Sequence, residues 1–346
     1  MTSQRTLALC LLTGSMLVPV SAALAQDKVI GVSWRHFQEE RWRIDERGIL
    51  DALEGPGWEY VSADAQADPQ KQITDIEGLI SSGADVLIVL AQDSFAVVPA
   101  IQSAQAAGIP VIAYDVPVDM TDILFISFDN IAVGRLMGEA LVAAQPGGNW
   151  AILNGDPSMS IVNLFKEGQM QAVQPLIDSG AITVVAEQFI ENWKPDVAQT
   201  AMDQILTMSG NEIDAVLAMN DGMAGGAAAA MAAQGMHGVA LSGQDGDIAA
   251  LNRIARGDQT VSVWKNSYSL GQTAAVAAVA LGEGTPMAEV AGAQPYETPS
   301  GQMQSAILLE PIAITRDNLN LVVDSDWISK EDLCQGVTEN APAACQ

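Results

Sequence analysis

Residues 84–115, ADVLIVLAQDSFAVVPAIQSAQAAGIPVIAYD, contain two short apolar runs separated by a longer amphipathic stretch. The runs 84–91 and 109–115 predict strands buried on both faces, because they are nearly continuous apolar segments. Residues 94–107 between them predict a helix, which ends at Gly108. A strand, a helix and a second strand in this order predict parallel strands joined by a helical crossover, as in α/β proteins.

The same alternation continues on both sides of this unit. Further strands are predicted at 29–33, 150–154, 182–186, 215–220 and 239–242. Further helices are predicted at 39–53, 69–82, 130–144, 195–208 and 222–234. One core does not comfortably serve so many strands, so the predicted fold class is α/β with two doubly wound parallel-sheet lobes joined by a three-strand hinge.

The chain is expected to cross between the lobes three times. The expected crossings are near 128–130, near 264–266 and around 302–306. The expected first lobe comprises residues 26–129 and 265–303, the second comprises 130–264 and 304–331, and 332–346 form a C-terminal tail. Asn130 lies at the first crossing and is predicted to be a hinge residue that bends when the lobes move.

Residues 1–25 have the pattern of a secretion signal. Arg5 precedes an apolar run at 7–20, and the small residues Ala23 and Ala25 suit cleavage before Gln26. The apolar run is shorter than the roughly 20 residues that span a bilayer. The sequence therefore predicts export, with the mature chain in the periplasm.

Charge and cysteine content restrict the function. The formal net charge of −27 argues against partners such as nucleic acid or anionic lipid surfaces, which require a basic face. Cys10 would leave with the signal, so Cys334 and Cys345 remain and are expected to form a disulfide in an oxidising compartment. No CxxC motif or metal-spaced Cys/His set is present, and no metal or other cofactor is predicted.

Polar and aromatic side chains follow the predicted strands, where ligands meet an open parallel sheet. These candidates are His36, Arg41, Trp42, Asp115, Met159, Trp193, Asn220, Asp245 and Lys265. Aspartate accepts from hydroxyl groups, Arg and Lys donate to them, Asn does both, and an indole covers the apolar face of a sugar ring. Two acids matched by two cations, Arg41 and Lys265, favour a small neutral sugar or polyol, because a charged ligand would be buried without compensation.

Several of these positions have a structural alternative. Asp221 and Asp247 are interpreted as helix N-caps, because each stands where a strand turns into a helix. Trp42 lies on an apolar stripe, so its pattern alone fits core packing as well as ligand stacking. Asp156 fits an Asx turn before a proline, and the role of His36 stays open.

Collinear motifs add a family resemblance over residues 29–331. They include Glu40-Arg-Trp42, Val111-Ile-Ala-Tyr-Asp115, Ile126-Ser-Phe-Asp-Asn130, Ser242-Gly-Gln-Asp245 and Leu309-Glu-Pro-Ile-Ala-Ile314. With these motifs the chain resembles the type I periplasmic sugar-binding proteins, which include the xylose, ribose and multiple-sugar binders. The resemblance implies a non-catalytic protein that delivers ligand to an ABC permease, and in some relatives to a chemoreceptor. The protein is expected to be a monomer. It also implies that Arg41, Trp42, Asp115, Trp193, Asn220, Asp245 and Lys265 contact the sugar, with Trp42 and Trp193 as a stacking pair.

Two departures from the xylose binders concern specificity. Val116 stands where they usually have Arg after Tyr-Asp, and Met159 lies in a stretch where they have Asp-Asn-Asn. We expect Val116 and Met159 to form an apolar patch, so that the ligand carries fewer hydroxyl groups, or a methyl group, on that side. A different polyol in a shifted pose is the alternative, and both options argue against xylose itself.

Two other classes of protein fit parts of the pattern. Carboxylates in a cleft also occur in glycosidases, but here each acid has a cationic or hydroxyl partner nearby in the predicted site. A sensory subunit that presents its closed form to a membrane receptor would have the same cleft. The sequence does not separate sensing from transport, because both depend on the same lobe closure.

Overall fold

A computed structural model describes residues 27–55 and 57–346, so the predicted signal sequence lies outside the described residues. The strands are β1 (Lys28–Trp34), β2 (Trp58–Asp64), β3 (Val86–Val89), β4 (Val111–Tyr114), β5 (Leu124–Phe128), β6 (Gly148–Asn154), β7 (Ile182–Phe189), β8 (Ala215–Ala218), β9 (Ala240–Leu241), β10 (Ser262–Trp264), β11 (Gln294–Glu297), β12 (Met303–Leu309) and β13 (Ile312–Ile314). The α-helices are α1 (Arg41–Ala52), α2 (Pro69–Ser81), α3 (Val98–Ala106), α4 (Asn130–Ala144), α5 (Ile161–Asp178), α6 (Pro195–Ser209), α7 (Asp221–Ala233), α8 (Ile248–Arg256), α9 (Ser267–Gly282), α10 (Asn320–Asp324) and α11 (Lys330–Cys334).

The first lobe is built on a seven-stranded sheet with the order β11-β12-β5-β4-β3-β1-β2. Its pairs are parallel except for β11 and β12, which are antiparallel. Every residue of β3, β4 and β5 is buried. The continuous apolar sequences predicted this for β3 and β4, whereas β5 was not among the predicted strands. Helix α1 packs on α9, so the first lobe takes in both an early and a late part of the chain.

The second lobe contains a four-stranded parallel sheet with the order β7-β6-β8-β9. Beyond it, β10 and β13 form an antiparallel pair, and a single parallel bridge joins Gln244 to Val263 of β10. Helix α4 packs on α5, and α6 packs on α7. Two parallel α/β sheets with crossovers between them confirm the predicted fold class.

Strand β2 is a strand that the sequence pattern did not predict. None of its residues is fully buried, and β1 is its only neighbour in the sheet order of the described residues. An edge strand needs no continuous apolar run, because one side and part of its face remain in water. The pattern used to find buried strands therefore could not find this one.

Two of the three expected crossings lie where the sequence placed them, at the passage from β5 to α4 and from β10 to α9. The third was placed too early, around 302–306. Strand β12 continues to Leu309 beside β5 in the first sheet, and the chain reaches the second lobe only at β13. Since β12 is a parallel partner of β5, its register carries it as far as Phe128 before the chain can leave the sheet. Residues 304–309 therefore belong to the first lobe.

Glycines permit close approach where helices pack in pairs. A Cβ atom at Gly134 of α4 would overlap the carbonyl of Phe165 in α5, and one at Gly226 of α7 would overlap the carbonyl of Pro195 in α6. Gly48 of α1 likewise lies against the backbone of Tyr268 in α9. Helix axes this close leave no space for a side chain, so the short spacing of the helix layers depends on these positions.

The C-terminal residues are docked on the second lobe rather than free. A small apolar cluster contains Leu251 and Ile254 of α8 together with Leu333 of α11. Cys334 and Cys345 form a disulfide with a Cα–Cα distance of 5.6 Å. Among the described residues, no helix is long and apolar enough to cross a membrane.

Candidate functional site

A cavity of about 310 Å³ lies between the two lobes. Its walls follow the carboxyl ends of β1 and β4 in the first lobe, and of β6 to β10 in the second. The lining residues are Arg35, Glu39, Arg41, Trp42, Asp115, Met159, Ile161, Phe165, Trp193, Asn220, Gln244, Asp245 and Lys265. Eight of the nine candidates named from the sequence are in this set, because parallel strands in each lobe end at the same edge.

Four charged side chains form the polar centre of the cavity. The guanidinium of Arg41 donates through Nη2 to Asp115 at 3.1 Å and through Nη1 to Asp245 at 3.0 Å. Lys265 Nζ lies 3.5 Å from Asp115 Oδ1 and 3.3 Å from Asp245 Oδ1. Arg41 and Asp115 belong to the first lobe and Asp245 to the second, so this cluster joins the lobes across the cleft.

The charges in this cluster stabilise one another. Burial alone would raise the pKa of Asp115, but Arg41 and Lys265 outweigh it and hold that pKa below its usual range. Burial would lower the pKa of Arg41, yet Asp115, Asp45 and Asp245 raise it well above its ordinary value. Asp115 and Arg41 are therefore held in their charged forms.

Two buried residues outside the cavity, Asp45 and Tyr114, fix the position of Arg41. Asp45, one turn along α1, accepts from Arg41 Nε at 3.4 Å and from the hydroxyl of the buried Tyr114. Burial raises the pKa of Asp45 to about 7, although Arg41 lowers it. Asp45 and Tyr114 do not line the cavity; they orient the guanidinium that does.

The two candidate indoles lie on opposite lobes. Trp42 is only 4% exposed, and its ring lies under the guanidinium of Arg41 at 4.3 Å while Nε1 donates to Glu39 at 2.7 Å. Trp193 is 5% exposed and packs edge-on against Phe165, with ring centroids 6.4 Å apart. Each indole is thus fixed by its neighbours, and both contribute a flat apolar wall.

Three of the cavity residues have positive φ angles, which residues other than glycine rarely adopt. The φ angles are 57° at Asp115, 59° at Trp193 and 103° at Asp245. Such conformations cost roughly 1–3 kcal/mol each and concentrate at functional sites, where the surrounding structure enforces them. Asp115 is held by its amide, which donates to Ile126, and by its carbonyl, which accepts from Ser127.

The two residues beyond the end of β8, Asn220 and Asp221, have different roles. Asn220 caps α7, since its Oδ1 accepts from the amide of Met223 at 2.9 Å, and its amide group remains in the cavity wall. Asp221 was interpreted as an N-cap, and this was wrong. Its Oδ2 accepts from the amides of Gly246 and Asp247 at 3.0 and 3.1 Å, so it holds the loop that carries Asp245.

Arg35 is a cavity residue that the sequence analysis missed. It follows β1 directly and is 1% exposed, whereas its neighbour His36 was chosen as the candidate. His36 is not among the lining residues; its Nδ1 accepts from the amide of Gln38, and burial together with Arg35 lowers its pKa to about 3. Side chains alternate at a strand end, so only one of the two adjacent residues can face the cavity. The strand-end rule would have found Arg35 had both been considered.

The apolar patch of the cavity is formed by residues that differ in part from those expected. Met159 lines the cavity, but Val116 is fully buried and is not in the lining. The apolar wall is instead Met159 with Ile161 and Phe165 at the start of α5. Helix α5 begins immediately after the loop following β6, which brings its first turn to the cleft.

Further contacts join the lobes at the rim of the cleft. The amide of Ser94 donates to the carbonyl of Ser158 at 3.1 Å, and the amide of Ser160 donates to Ser94 Oγ at 3.1 Å. Gln92 Nε2 donates to Asn192 Oδ1 at 2.8 Å. The Asx turn expected at Asp156 is present, since its Oδ1 accepts from the amide of Ser158 at 2.9 Å. The lobes therefore touch where the residues after β3 meet the loops after β6 and β7.

The complete cavity contains three cations and three carboxylates, because Arg35 and Glu39 join the four central groups. In the part of the chain that the structure describes, no cluster of His, Cys, Asp or Glu could hold a metal ion. The cavity therefore offers hydrogen-bond donors, acceptors and flat apolar walls with little net charge, which suits an uncharged polyhydroxy molecule.

Comparisons with known proteins identify the family. The model of the periplasmic binding protein domain matches residues 30–286. The D-xylose-binding periplasmic protein of Haemophilus influenzae is 38% identical over 322 residues, which cover 92% of this chain and 96% of that protein. The D-xylose-binding periplasmic protein of Escherichia coli is 37% identical over 320 residues, with 92% and 96% covered.

Solved structures show the same architecture. An ABC transporter solute binding protein from Clostridium phytofermentans with bound β-D-glucose superposes with a TM-score of 0.80 at 27% identity, covering 88% of this chain and 100% of that chain. The Caulobacter myo-inositol binding protein bound to myo-inositol superposes with a TM-score of 0.75 at 27% identity, covering 88% and 98%. The chain therefore belongs to the periplasmic binding protein family, among the sugar-binding transport proteins that capture solutes and are not enzymes.

Proposed function

We propose that this protein binds a neutral monosaccharide or polyol in the periplasm and presents its closed form to an ABC permease in the inner membrane. One observation carries the proposal: paired charges from both lobes and an indole from each lobe surround a single cavity. Relatives that bind D-xylose, β-D-glucose and myo-inositol support the ligand class. Export depends on residues 1–25, which are proposed to be cleaved after Ala25.

The ligand is uncharged in this proposal because the lining charges already balance. Asp115 and Asp245 each use one oxygen on the cations, so each keeps a second oxygen that can accept from a ligand hydroxyl group. Asn220 and Lys265 supply donors. A sugar hydroxyl that both donates and accepts is satisfied on both counts, whereas a carboxylate ligand would disturb the balance in a desolvated cleft.

Lobe closure follows from where these groups reside. Arg41 and Asp115 approach the ligand from the first lobe, while Trp193, Asn220 and Asp245 approach it from the second. Only the closed form makes all of these contacts at once, so ligand binding favours closure by its differential affinity for that form. Asn130 begins α4 beside the first crossing, with Nδ2 donating to Ser127 Oγ at 3.0 Å, and is proposed to bend with the hinge.

The permease would then recognise a closed monomer, and a chemoreceptor could recognise the same surface. The test is a panel of D-xylose, D-glucose, D-ribose and myo-inositol studied by isothermal titration, together with mass spectrometry of any ligand that co-purifies. We expect at least one uncharged member to bind tightly with 1:1 stoichiometry. Binding of no member of this panel, together with the absence of any uncharged sugar or polyol among co-purified molecules, would refute the proposed ligand class. Loss of uptake in a deletion strain tests delivery to the permease.

A matched comparison separates the proposed ligand features. The apolar wall of Met159, Ile161 and Phe165 favours a ligand that presents C–H groups there. Ligands with fewer hydroxyl groups on one side are therefore expected to bind at least as tightly as D-xylose. Tight D-xylose binding with no gain for any less hydroxylated analogue would contradict this part of the proposal.

A further inference from the structure

Arg35 has one nitrogen without a partner. Its Nε donates to Gln92 Oε1 at 3.1 Å, and Nη1 lies 2.9 Å from Met159 Sδ. Nη2 is buried and has no hydrogen-bond partner within residues 27–55 and 57–346. A buried donor of a charged group is strongly disfavoured without an acceptor, and Arg35 lines the ligand cavity. The missing acceptor is expected to be an atom of the ligand.

The surroundings restrict what this acceptor is. The cavity residue that Arg35 contacts is Met159, whose sulfur also accepts from Trp193 Nε1 at 3.0 Å. A thioether sulfur is a weak acceptor. An oxygen atom of a ligand would therefore be a much better partner for Arg35 than the sulfur of Met159.

Glu39 provides the complementary group. It lines the same cavity and uses Oε2 to accept from Trp42 Nε1. Arg35 and Glu39 influence each other electrostatically, but the described part of the chain contains no ion pair between them within 4.0 Å. Two opposite charges that line one cavity without a direct ion pair can both bind one hydroxyl group, which accepts from one and donates to the other.

We propose that Arg35 and Glu39 hold one hydroxyl group of the ligand between them, and that this contact selects among sugars by the hydroxyl at a single ring position. The hydroxyl oxygen accepts from Arg35 Nη2, and its hydrogen is donated to the Glu39 carboxylate. Met159 and Ile161 flank the site with apolar surface, so neighbouring ring positions present C–H groups. The inference rests on the proposed function, because it assumes a sugar or polyol in the cavity.

The test combines protein and ligand changes. The probe is D-xylose, D-glucose or myo-inositol, whichever binds most tightly, together with its monodeoxy analogues, studied by isothermal titration. Arg35→Met keeps an unbranched, flexible side chain in place of the aliphatic part of arginine but removes the donors and the charge. Arg43→Met is the matched control, since Arg43 is on α1 with a side chain that is 63% exposed.

Arg35→Met is expected to weaken binding of the parent sugar about ten- to hundred-fold, as the loss of a charge-assisted hydrogen bond does. One monodeoxy analogue should bind the wild type more weakly by a similar factor and lose that penalty in Arg35→Met. The same analogue's penalty should shrink in Glu39→Gln, while Arg43→Met keeps the wild-type profile. These are the signs of a direct contact, because a merely structural defect would weaken all analogues equally.

An Arg35→Met variant that folds and binds the parent sugar as the wild type does would overturn the inference. So would deoxy penalties that are the same in the wild type and in Arg35→Met. Should Arg35→Met fail to fold, Glu39→Gln serves instead, and an unchanged deoxy profile in that variant has the same meaning. A wild type that binds no uncharged sugar or polyol overturns the proposed function itself.

Discussion

Asp245→Asn is the substitution that tests the charged centre of the cleft most directly. The asparagine has nearly the same shape as the aspartate and keeps Oδ1 as an acceptor, but it carries no charge. In the wild type, Oδ1 accepts from Arg41 at 3.0 Å and lies 3.3 Å from Lys265 Nζ. The substitution leaves these two cations with Asp115 as their remaining carboxylate in the central cluster.

The magnitude follows from the kind of bond that is lost. Asp245, Arg41 and Lys265 are almost completely buried, with side-chain exposures of 7%, 2% and 1%. A hydrogen bond to a charged group contributes about 1.5–3 kcal/mol, against about 0.5–1.5 kcal/mol for a neutral one. The substitution weakens the interactions of Asp245 with both Arg41 and Lys265. Together they correspond to a loss of about 2–3 kcal/mol in binding free energy, or roughly 30- to 150-fold in affinity at about 1.4 kcal/mol per tenfold.

The loss should appear in closure as well as in affinity, because Arg41 and Asp245 are on different lobes. Isothermal titration measures the affinity, and small-angle X-ray scattering measures the radius of gyration with and without ligand. Asp245→Asn is expected to bind more weakly and to remain more expanded at equal ligand concentration. Glu139→Gln is the control: the Arg135–Glu139 pair, at 2.8 Å, is 41% and 50% exposed, and such pairs contribute about 0–1 kcal/mol. Affinity and scattering both indistinguishable from the wild type would refute the role given to the cluster.

Two further predictions concern the indole and the buried acid. A Cβ atom at Gly155 would overlap the indole of Trp193, so Gly155→Ala should displace the ring and reduce both the ligand affinity and the tryptophan fluorescence change on binding. The control is Gly78→Ala on α2, which should change neither because a Cβ atom there meets open space. An unaltered fluorescence response in Gly155→Ala would contradict the stacking role of Trp193. Burial raises the pKa of Asp45 from 3.8 to about 7, so the native state retains a proton there, and the stability it contributes is present below about pH 4 and lost as pH rises towards 7. Relative to Asp45→Asn, the wild type should lose up to about 4 kcal/mol of unfolding free energy between pH 4 and pH 8, at about 1.4 kcal/mol per pH unit. Urea unfolding measures this, with the exposed Asp203→Asn as control, and parallel pH profiles of the wild type and Asp45→Asn would count against a raised pKa.

Apolar patterning is local information, and it was sufficient for the buried elements. Strands such as β3 and β4 are apolar throughout because both faces are covered, and helix α4 begins and ends at the predicted residues. Strand β2 was not predicted because an edge strand needs no continuous apolar run. The third crossing was misplaced because the end of β12 depends on its pairing with β5, a partner about 180 residues earlier in the chain.

The candidate site divides in the same way. The rule that ligands meet the carboxyl ends of parallel strands identified Arg41, Asp115, Asp245 and Lys265 from sequence position, since chain direction alone decides which end of a strand a residue follows. Position did not reveal that Arg41 joins both acids across the cleft, because that pairing requires the two lobes to come together.

Side-chain direction was the part that only the tertiary structure decided. Arg35 faces the cavity while its neighbour His36 does not, and Ile161 rather than Val116 completes the apolar wall with Met159. Composition and strand order determine which residues reach the edge of a sheet. The packing of helices and loops around that edge determines which of them turn inward, because adjacent residues in an extended chain point to opposite sides.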